Sequence, residues 1–364
     1  MPYNAGCQPL PIKHKINAFL MGVNSSEAGK YIMQTRQNEL NNWLKSLLGE
    51  MPFTITPLAG DASFRRYFRL QYGEFTRVIM DAPPDKESIV SFLDIGRQLA
   101  ENSLHTPRVY ATDEALGFIL LEDLGDQLLL RALSLNTANP LYCAAMTTLL
   151  QVQQCPTTNP PLPIFDKAFM LKEMALFREW FLEAYLELEL NAHEEALLNK
   201  TFDWLATTIA AQPQVFIHRD YHSRNLILIS DKKPNDIGVI DFQDAMQGPF
   251  TYDLVSLLKD CYIQWPRVKV IEWLTYFYHH MPQTHGYSLE MFIRAFDLCG
   301  LQRHLKVLGV FCRLHLRDNK PTYLQDLPLT FNYLTACLES YSELQPLYQF
   351  IQKTVHHAFA KQAS

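Results

Sequence analysis

The chain has 364 residues, of which 48% are hydrophobic and 19% charged, and its formal net charge is −6. This composition is typical of a globular protein with two lobes, and it does not favour nucleic-acid binding, which usually shows a basic domain or stripe. No apolar run reaches the roughly 18 residues that a membrane span requires. The seven cysteines form no Cys-x-x-Cys pair, so we expect free thiols in a cytoplasmic protein.

The first third of the sequence is predicted to be rich in strands. Residues 1–32 are weakly patterned, and we expect either a tail or a loosely packed extension before a helix over Thr35–Leu48. Apolar alternation and turn residues then predict, in order, the strands Phe53–Leu58, Tyr67–Leu70 and Arg77–Met80, the helix Asp85–Asn102, and the strands Arg108–Ala111 and Phe118–Leu121. We therefore expect residues 33–122 to form a five-stranded antiparallel lobe.

Helical patterns dominate the rest of the chain. They cover Gln127–Ser134, Asn139–Gln153, Lys167–Leu190, Ala192–Gln212 and the region 253–357. A small group of short strands is predicted among them, at Val215–Ile217, Leu226–Ile229 and Ile237–Ile240. We therefore expect an α+β protein whose second lobe, residues 123–364, is mainly helical.

The residues that carry chemistry lie around these short strands. Residues 218–225 read His-Arg-Asp-Tyr-His-Ser-Arg-Asn, and Asp241 follows the next apolar strand. Phosphoryl transfer needs a carboxylate that orients the attacking hydroxyl and takes its proton, and oxygen ligands that hold Mg²⁺ on the phosphates. The spacing therefore predicts Asp220 as the catalytic base and Asn225 with Asp241 as metal ligands in a bilobal protein-kinase-like fold that uses ATP. A chance hairpin is the alternative, and the joint spacing argues against it.

A phosphate-binding loop is predicted between the first two strands. Gly60, Ala62 and Ser63 allow backbone N–H groups to approach phosphate oxygens, and positive charge comes from Arg65, Arg66 and Arg69. An ordinary Gly-Asp hairpin turn is the alternative. The strand Val78–Asp81 has no lysine where protein kinases carry one, and we expect Arg65 or Arg69 to replace it.

The segment Leu120–Gly125 connects the two predicted lobes. In a kinase-like fold the backbone at this junction forms hydrogen bonds with adenine. We therefore expect main-chain groups of Glu122 and Leu124 to contact the nucleotide. The residue types alone would not single out this segment, and its position between the lobes is what gives it a predicted role.

Around the catalytic loop the sequence resembles the aminoglycoside phosphotransferase family, which has choline-kinase-like members. The resemblance rests on residues 218–225 with their second histidine, His222, and on Asp241-Phe-Gln-Asp, followed a dozen residues later by Asp253. It implies that Asp253 opens a helix and braces the catalytic loop. His222 and Asp253 are also candidates for contacts with the acceptor.

Longer stretches resemble a narrower family, the anomeric amino-sugar kinases of bacterial peptidoglycan recycling. These stretches are Gly60–Arg69, Met80–Pro84, Tyr252–Tyr262 and Leu301–Gly309, and the likeness runs from about Met33 to near the C terminus. Met-Asp-Ala-Pro-Pro in place of the lysine motif is part of it. The resemblance implies ATP- and Mg²⁺-dependent phosphorylation of the C1 hydroxyl of N-acetylmuramate or N-acetylglucosamine.

The helical pattern from residue 301 to 317 gives an independent indication of the acceptor. Its apolar residues fall on one face, and Arg303, Lys306, Arg313 and Arg317 fall on another. A basic face along a sugar pocket would suit an anion and would repel a polycationic aminoglycoside. Arg303 and Lys306 are therefore candidate substrate ligands. The alternative is a solvated charged face on an amphipathic helix.

Three other functions stay open. A kinase of the same fold acting on an aminoglycoside, choline or another alcohol would share the catalytic residues. A protein kinase is disfavoured because no Ala-Pro-Glu motif follows Asp241. A non-catalytic binding protein is disfavoured because Asp220, Asn225 and Asp241 are all present. The expected partner is a small-molecule amino sugar, with no nucleic acid and no membrane. The pattern does not specify the preferred sugar, the anomer or the oligomeric state.

Overall fold

The computed structural model of the chain describes residues 25–58, 64–230, 236–282, 284 and 286–362, with side chains from residue 34 onward. The described residues form two compact units. The first unit contains the residues up to Glu87 together with Tyr110–Leu121, and the second contains Ser88–Val109 together with the residues from Glu122 onward. The lobe boundary at residue 122 stays a prediction.

The first unit is built on a five-stranded antiparallel sheet and one long helix. Helix α1 spans Ser25–Leu48 and so begins before the predicted Thr35. The strands are β1 (Phe53–Pro57), β2 (Arg66–Tyr72), β3 (Phe75–Asp81), β4 (Val109–Asp113) and β5 (Phe118–Glu122). Their spatial order is β1-β2-β3-β5-β4. The predicted five-stranded sheet is therefore confirmed.

Apolar residues of α1 and of the sheet form one core. The buried members of this core are Leu40, Trp43, Leu44, Leu70, Ile79, Phe118 and Leu120. Trp43 and Leu44 follow Leu40 by three and four positions, so the three residues from α1 share one face of the helix. Burying each large side chain contributes about 1.5–3 kcal/mol, which is why this face of α1 packs on the sheet.

A buried carboxylate at the end of β3 ties α1 to the sheet. Asp81 accepts hydrogen bonds from Nε of Arg36 at 2.9 Å and from Nε of Arg66 at 3.0 Å. Arg36 also lies over the ring of Phe118, 4.1 Å from its centroid. Because an unpaired buried charge is strongly unfavourable, the two arginines are needed to keep Asp81 in this position. Arg36 was not singled out from the sequence, and Arg66, which was expected to supply charge to the phosphate loop, pairs with Asp81.

The second unit is mainly helical. Its α-helices are α2 (Val90–Glu101), α3 (Leu129–Ala132), α4 (Ala138–Gln153), α5 (Lys167–Leu176), α6 (Ala192–Ala210), α7 (Tyr252–Leu258), α8 (Arg267–His280), α9 (Leu289–Leu316), α10 (Leu327–Ser340), α11 (Gln345–Phe350) and α12 (His356–Gln362). Wider π-helical turns span Phe177–Tyr185 and Ile351–Val355, and 3₁₀ turns span Pro321–Asp326 and Ser342–Leu344. In the described part of the chain, no helix has both the length and the apolar character needed to cross a bilayer.

Four short strands of the second unit position the site. They are β6 (Gln214–Ile217), β7 (Leu226–Leu228), β8 (Ile237–Val239) and β9 (Met246–Pro249). β7 and β8 form an antiparallel hairpin, whereas β6 pairs with β9. The three predicted strands therefore belong to two separate two-stranded sheets, because β9, which the pattern did not indicate, is the partner of β6.

Helix α2 is shorter than predicted. It begins at Val90 and not at Asp85, because the Pro83 carbonyl accepts backbone N–H groups three and four residues later, at 2.9 and 3.0 Å, in a separate turn. The hydroxyl oxygen of Ser88 then accepts the N–H of Val90 at 3.2 Å. This hydroxyl supplies a partner for an N–H group that the start of a helix leaves without one.

The helix predicted over Lys167–Leu190 is also divided. It is α-helical to Leu176 and then continues as π-helical turns. At this point Gly309 of α9 lies against the backbone of α5, so closely that a Cβ on Gly309 would be 2.3 Å from the Leu176 carbonyl. Only glycine permits this approach between the two helices.

Candidate active site

Residues 218–225 form a loop between β6 and β7, and we call it the catalytic loop. Asn225 ends this loop, and Asp241 follows β8 by two residues. Because β7 and β8 are paired, Asn225 and Asp241 lie side by side: Nδ2 of Asn225 donates to Oδ2 of Asp241 at 3.3 Å and to the Asp220 carbonyl at 2.9 Å. The structure thus brings together the three residues that the sequence predicts for catalysis and metal binding.

Two residues of the site have left-handed backbone conformations. The φ angle is 77° at Arg219 and 64° at Asp241, a region that costs residues with a Cβ about 1–3 kcal/mol unless the surroundings hold them. At Arg219 the buried carboxylate of Asp253 does so, because it accepts the backbone N–H groups of His218 at 2.6 Å and Arg219 at 2.9 Å. The next residue, Asp220, keeps 41% of its side chain exposed.

The catalytic loop is held by two buried carboxylates from one segment. Asp253 of α7 binds its beginning, and Asp260, just after α7, accepts the Ser223 backbone N–H at 3.0 Å and also the Ser223 hydroxyl. Burial raises the pKa of Asp253 to about 7, although the backbone N–H groups act in the opposite direction. Because both oxygens of Asp253 are bound by the loop, the structure favours a bracing role over an acceptor contact for this residue.

His218 links the catalytic loop to the strand that precedes Asp241. Its ring is buried, with Nε2 3.0 Å from the Ile240 carbonyl and Nδ1 3.3 Å from the backbone N–H of Asp220. Burial lowers the pKa of His218 to about 4 and outweighs the opposite effect of the Asp220 carboxylate. The ring is therefore neutral at pH 7, and it can donate from Nε2 while it accepts at Nδ1.

Three cations and one buried carboxylate lie beside Asp220. Glu173 of α5 pairs with Nη2 of Arg219 at 3.0 Å and with Nζ of Lys306 at 2.8 Å. Arg303 donates to the Arg219 carbonyl at 2.9 Å, and its Nη2 lies 3.7 Å from Oδ1 of Asp220. We call Glu173, Arg219, Arg303 and Lys306 the polar cluster. Its two α9 residues, both predicted as substrate ligands, lie next to the catalytic loop and not on a solvated face.

The polar cluster determines the charge state of Asp220. Burial disfavours the ionised carboxyl, but Lys306 and Arg303 outweigh it and hold the pKa of Asp220 well below its usual value. In the same way burial opposes ionisation of Glu173, and Lys306 and Arg219 outweigh it and lower its pKa. Both groups are therefore carboxylates at neutral pH, and Asp220 can accept a hydrogen bond from a hydroxyl but cannot donate one.

Asn225 and Asp241 present oxygen ligands for a cation. The two N–H groups of the Asn225 amide are used by the Asp220 carbonyl and by Asp241, and this orients its own carbonyl oxygen away from them. Nε2 of Gln243 donates to Oδ1 of Asp241 at 2.9 Å. An amide oxygen and a carboxylate fit Mg²⁺, which keeps several water or phosphate ligands. Among the described residues no cluster of three or more His, Cys, Asp or Glu forms a metal site.

The predicted phosphate contacts belong to the first unit. Gly60 and Ser63 lie outside the described residues. Nε of Arg65 is 2.6 Å from Oε2 of Glu87. Arg69 lies in the middle of β2, between β1 and β3. That Arg65 or Arg69 replaces the lysine of protein kinases stays a prediction.

The predicted adenine contacts belong to the second unit. Glu122 ends β5, its backbone N–H donates to the Arg108 carbonyl at 2.8 Å, and its carboxylate accepts the Arg108 N–H at 3.2 Å. Leu124 is buried and packs on β8, where a Cβ on Gly238 would lie 2.9 Å from its Cδ1. Leu124 therefore contacts the hairpin that precedes Asp241. A main-chain contact with adenine stays a prediction.

His222 lies in the middle of the catalytic loop. Its ring is edge-on to Tyr262, with the centroids 5.4 Å apart. Its Nδ1 is buried and has no hydrogen-bond partner within the ranges that the structure describes. A contact between His222 and the acceptor stays a prediction.

Several residues of the site were not singled out from the sequence. Glu173 precedes Arg219 by 46 positions in a helix whose pattern indicates only core packing, so no local signal marked it. Arg219 lies inside the motif, and its position between His218 and Asp220 was the available signal. Asp260 follows Asp253 at an interval of about two helical turns, which would place both acids on one side of the segment.

The chain is similar to curated amino-sugar kinases over most of its length. The N-acetylmuramate/N-acetylglucosamine kinase of Pseudomonas aeruginosa is 40% identical over 329 residues, which cover 86% of this chain and 95% of the relative. The N-acetylmuramate/N-acetylglucosamine kinase of Neisseria meningitidis serogroup B is 38% identical over 329 residues, which cover 88% of this chain and 96% of the relative. The likeness therefore includes both described units.

A solved structure and a family model agree with this likeness. The ADP-bound aminoglycoside phosphotransferase APH(2'')-Ib has a TM-score of 0.55 at 16% identity, covering 81% of this chain and 97% of that one. At this identity the comparison shows a shared fold, and the predicted fold class is confirmed. The model described as "Phosphotransferase enzyme family" matches residues 54–286, which include Asp220, Asn225 and Asp241. The chain is therefore a member of the phosphotransferase enzyme family.

Proposed function

We propose that the protein is an ATP- and Mg²⁺-dependent kinase that phosphorylates the anomeric C1 hydroxyl of N-acetylmuramate, N-acetylglucosamine or both, in peptidoglycan recycling. The names of relatives at 38% and 40% identity support this choice of acceptor. The observation that carries the chemistry is the half-exposed side chain of Asp220, in a loop where Asn225 donates both to the Asp220 backbone carbonyl and to Asp241. Because ATP is the phosphoryl donor, we place the reaction in the cytoplasm.

In this mechanism Asp220 acts on the acceptor directly. The carboxylate accepts a hydrogen bond from the sugar hydroxyl and takes its proton as the oxygen forms a bond to phosphorus. Asp253, Asp260 and His218 hold the loop that carries Asp220. Asn225 and Asp241 would hold Mg²⁺, which when bound neutralises charge on the phosphates. No phosphorylated residue of the chain is needed.

The two parts of the chain receive different roles in this proposal. We assign nucleotide binding to residues 33–122, with phosphate contacts from Gly60, Ser63, Arg65 and Arg69. We assign the catalytic loop and the acceptor site to residues 123–364. Residues 1–32 precede these parts and receive no role in the reaction.

The polar cluster distinguishes between classes of acceptor. Arg219, Arg303 and Lys306 lie beside the carboxylate that must meet the acceptor. Their charge opposes a cationic acceptor such as an aminoglycoside or choline, and like-charge contacts are an effective means of rejection. A neutral or anionic sugar is therefore the better candidate.

An assay of ADP release from ATP tests this function. Purified full-length protein with Mg²⁺ is offered N-acetylmuramate, N-acetylglucosamine, glucose, an aminoglycoside and choline. We expect turnover on the N-acetylated sugars, with loss of that turnover in Asp220→Asn. Turnover only on the aminoglycoside or on choline would overturn the proposed acceptor. ATP binding without turnover on any acceptor would indicate a non-catalytic protein.

A further inference from the structure

The cations of the polar cluster differ in solvent exposure. The side chains of Lys306 and Arg219 keep 15% and 17% of their surface exposed, beside the 41% of Asp220. Arg303 and Glu173 are more deeply buried, at 7% and 8%. Of the three cations, Lys306 and Arg219 therefore offer the most surface to a molecule bound beside Asp220.

Both accessible cations have hydrogen-bonding capacity to spare. They share one oxygen, Oε1 of Glu173, at 2.8 and 3.0 Å. The three N–H groups of Lys306 find only one further partner within the described ranges, the Tyr252 hydroxyl at 3.5 Å. Nε of Arg219 is buried and has no hydrogen-bond partner among the described residues. Buried donors are usually paired, so an unpaired one in a charged cluster points to a ligand.

The ion pairs also leave positive charge beside Asp220. In the direct ion pairs Arg219, Arg303 and Lys306 share two carboxylates, Glu173 and Asp220, whereas Asp244 and Asp253 act on Arg219 and Arg303 only from beyond ion-pair distance. Asp220 faces the acceptor hydroxyl during the reaction, and the single carboxylate of Glu173 then remains as the partner of the cations. An anionic group on the acceptor would balance the excess at close range, where the surroundings are partly desolvated and charge-assisted hydrogen bonds are strong.

We propose that Lys306 and Arg219 bind a carboxylate of the acceptor, so that this site prefers an acidic amino sugar to a neutral one. The inference rests on the proposed function and assigns a specificity to the same site. N-acetylmuramate is N-acetylglucosamine with a lactic acid ether at O3. The two sugars that the relatives are named for therefore differ by one lactyl ether, which carries a carboxylate. Glu173 is a positioning residue in this arrangement, since it holds both cations.

The preference is measured as the ratio of kcat/KM for N-acetylmuramate to kcat/KM for N-acetylglucosamine. Lys306→Met should lower this ratio about 10- to 100-fold, which corresponds to one hydrogen bond to a charged group. Lys306→Arg should keep most of the ratio, because it keeps the charge. Lys172→Met is the matched control, since Lys172 is an exposed residue next to Glu173 on the same helix, and it should leave the ratio unchanged.

A second measurement uses the unchanged protein and covers the case in which Lys306→Met does not fold. The carboxamide of N-acetylmuramate has nearly the shape of the acid without its charge, and its kcat/KM should be lower than that of the acid by a similar factor. Equal values for the acid and the amide, or an equal loss on both sugars in Lys306→Met, would overturn the inference while the proposed function stands. The absence of turnover on both sugars would overturn the proposed function and the inference together.

Discussion

Asp220 is assigned two roles, to accept a hydrogen bond from the acceptor hydroxyl and to take its proton. One substitution separates these two roles. Asparagine keeps the size of the side chain and an accepting oxygen but cannot take a proton. We therefore expect Asp220→Asn to lower kcat by about 10²- to 10⁴-fold, the usual contribution of a general base. The affinity for ATP should be retained, because Asp220 is assigned no nucleotide contact. Steady-state kinetics together with ATP titration calorimetry measure both effects, and a kcat close to that of the wild type would refute the role of Asp220.

Asp253 should make stability depend on pH. Burial raises its pKa from 3.8 to about 7 in the folded protein. Between these values the folded protein keeps a proton that the unfolded chain has released. The free energy of unfolding therefore falls as the pH rises through this window, by at most about 1.4 kcal/mol per pH unit for one group.

The variant Asp253→Asn lacks this titration. Comparing it with the wild type therefore separates the effect of Asp253 from the effects of all other titrating groups. We expect the stability of the wild type relative to the variant to decline from about pH 4 to about pH 7 and to be constant above, as the pKa of about 7 requires. Urea unfolding at a series of pH values gives this difference directly. A difference that does not change with pH would show that Asp253 has no raised pKa.

At the scale of elements, the contact between α5 and α9 determines where the polar cluster lies. Glu173 is on α5, and Arg303 and Lys306 are on α9. Gly309 lets the two helices touch, and a Cβ there would be 2.3 Å from the Leu176 carbonyl. We expect Gly309→Ala to reduce the free energy of unfolding by about 1–3 kcal/mol, the usual cost of overpacking, and to reduce kcat/KM because the helices are forced apart.

A second glycine of α9 provides the control. A Cβ on Gly300 would have its nearest neighbour, in Val255, at 3.5 Å, which is an ordinary contact. Gly300→Ala should therefore be neutral or stabilise the protein by about 0.4–1 kcal/mol. Thermal unfolding of both variants measures the contrast. Similar losses at the two positions would show that the close approach at Gly309 has no special importance.

The elements that the sequence predicted well are those with a local pattern. The strands of the β7–β8 hairpin are short apolar runs, and their positions were predicted. β9 was missed because Gly248 and Pro249 are poor strand formers, and this strand exists only through its pairing with β6. A Cβ on Gly248 would be 2.4 Å from the Ile217 side chain, so the same glycine that hides the strand allows the two strands to approach.

The residues of the site also divide into those that a local pattern marks and those that only long-range contacts bring together. Asp220 and Asn225 were found because one short loop contains both, and Asp241 because it closely follows the paired apolar strand. Glu173 contacts residues that are 46 and 129 positions away, and no local spacing records such contacts. The contact of Arg36 with Asp81 was missed for the same reason, since Arg36 lies 45 residues before Asp81. Long-range pairing decides these contacts, and a single sequence does not display it.

At the scale of the whole molecule, several observations agree on one reaction. The family model covers residues 54–286, and relatives named for amino-sugar phosphorylation match 86% and 88% of the chain. The second unit contains an ionised carboxylate, a pair of oxygen ligands and the polar cluster. These features predict phosphoryl transfer to a sugar. The property that then defines the function is which hydroxyl of the sugar receives the phosphate.

The most direct test is to identify the product of N-acetylmuramate, ATP and Mg²⁺ after incubation with the protein. Phosphorylation at C1 removes the reducing end of the sugar, whereas phosphorylation at any other hydroxyl leaves it intact. We predict that one reducing end is lost for each ADP formed and that a phosphatase restores it. ADP formation with the reducing end intact, or no ADP formation, would contradict the proposed anomeric kinase.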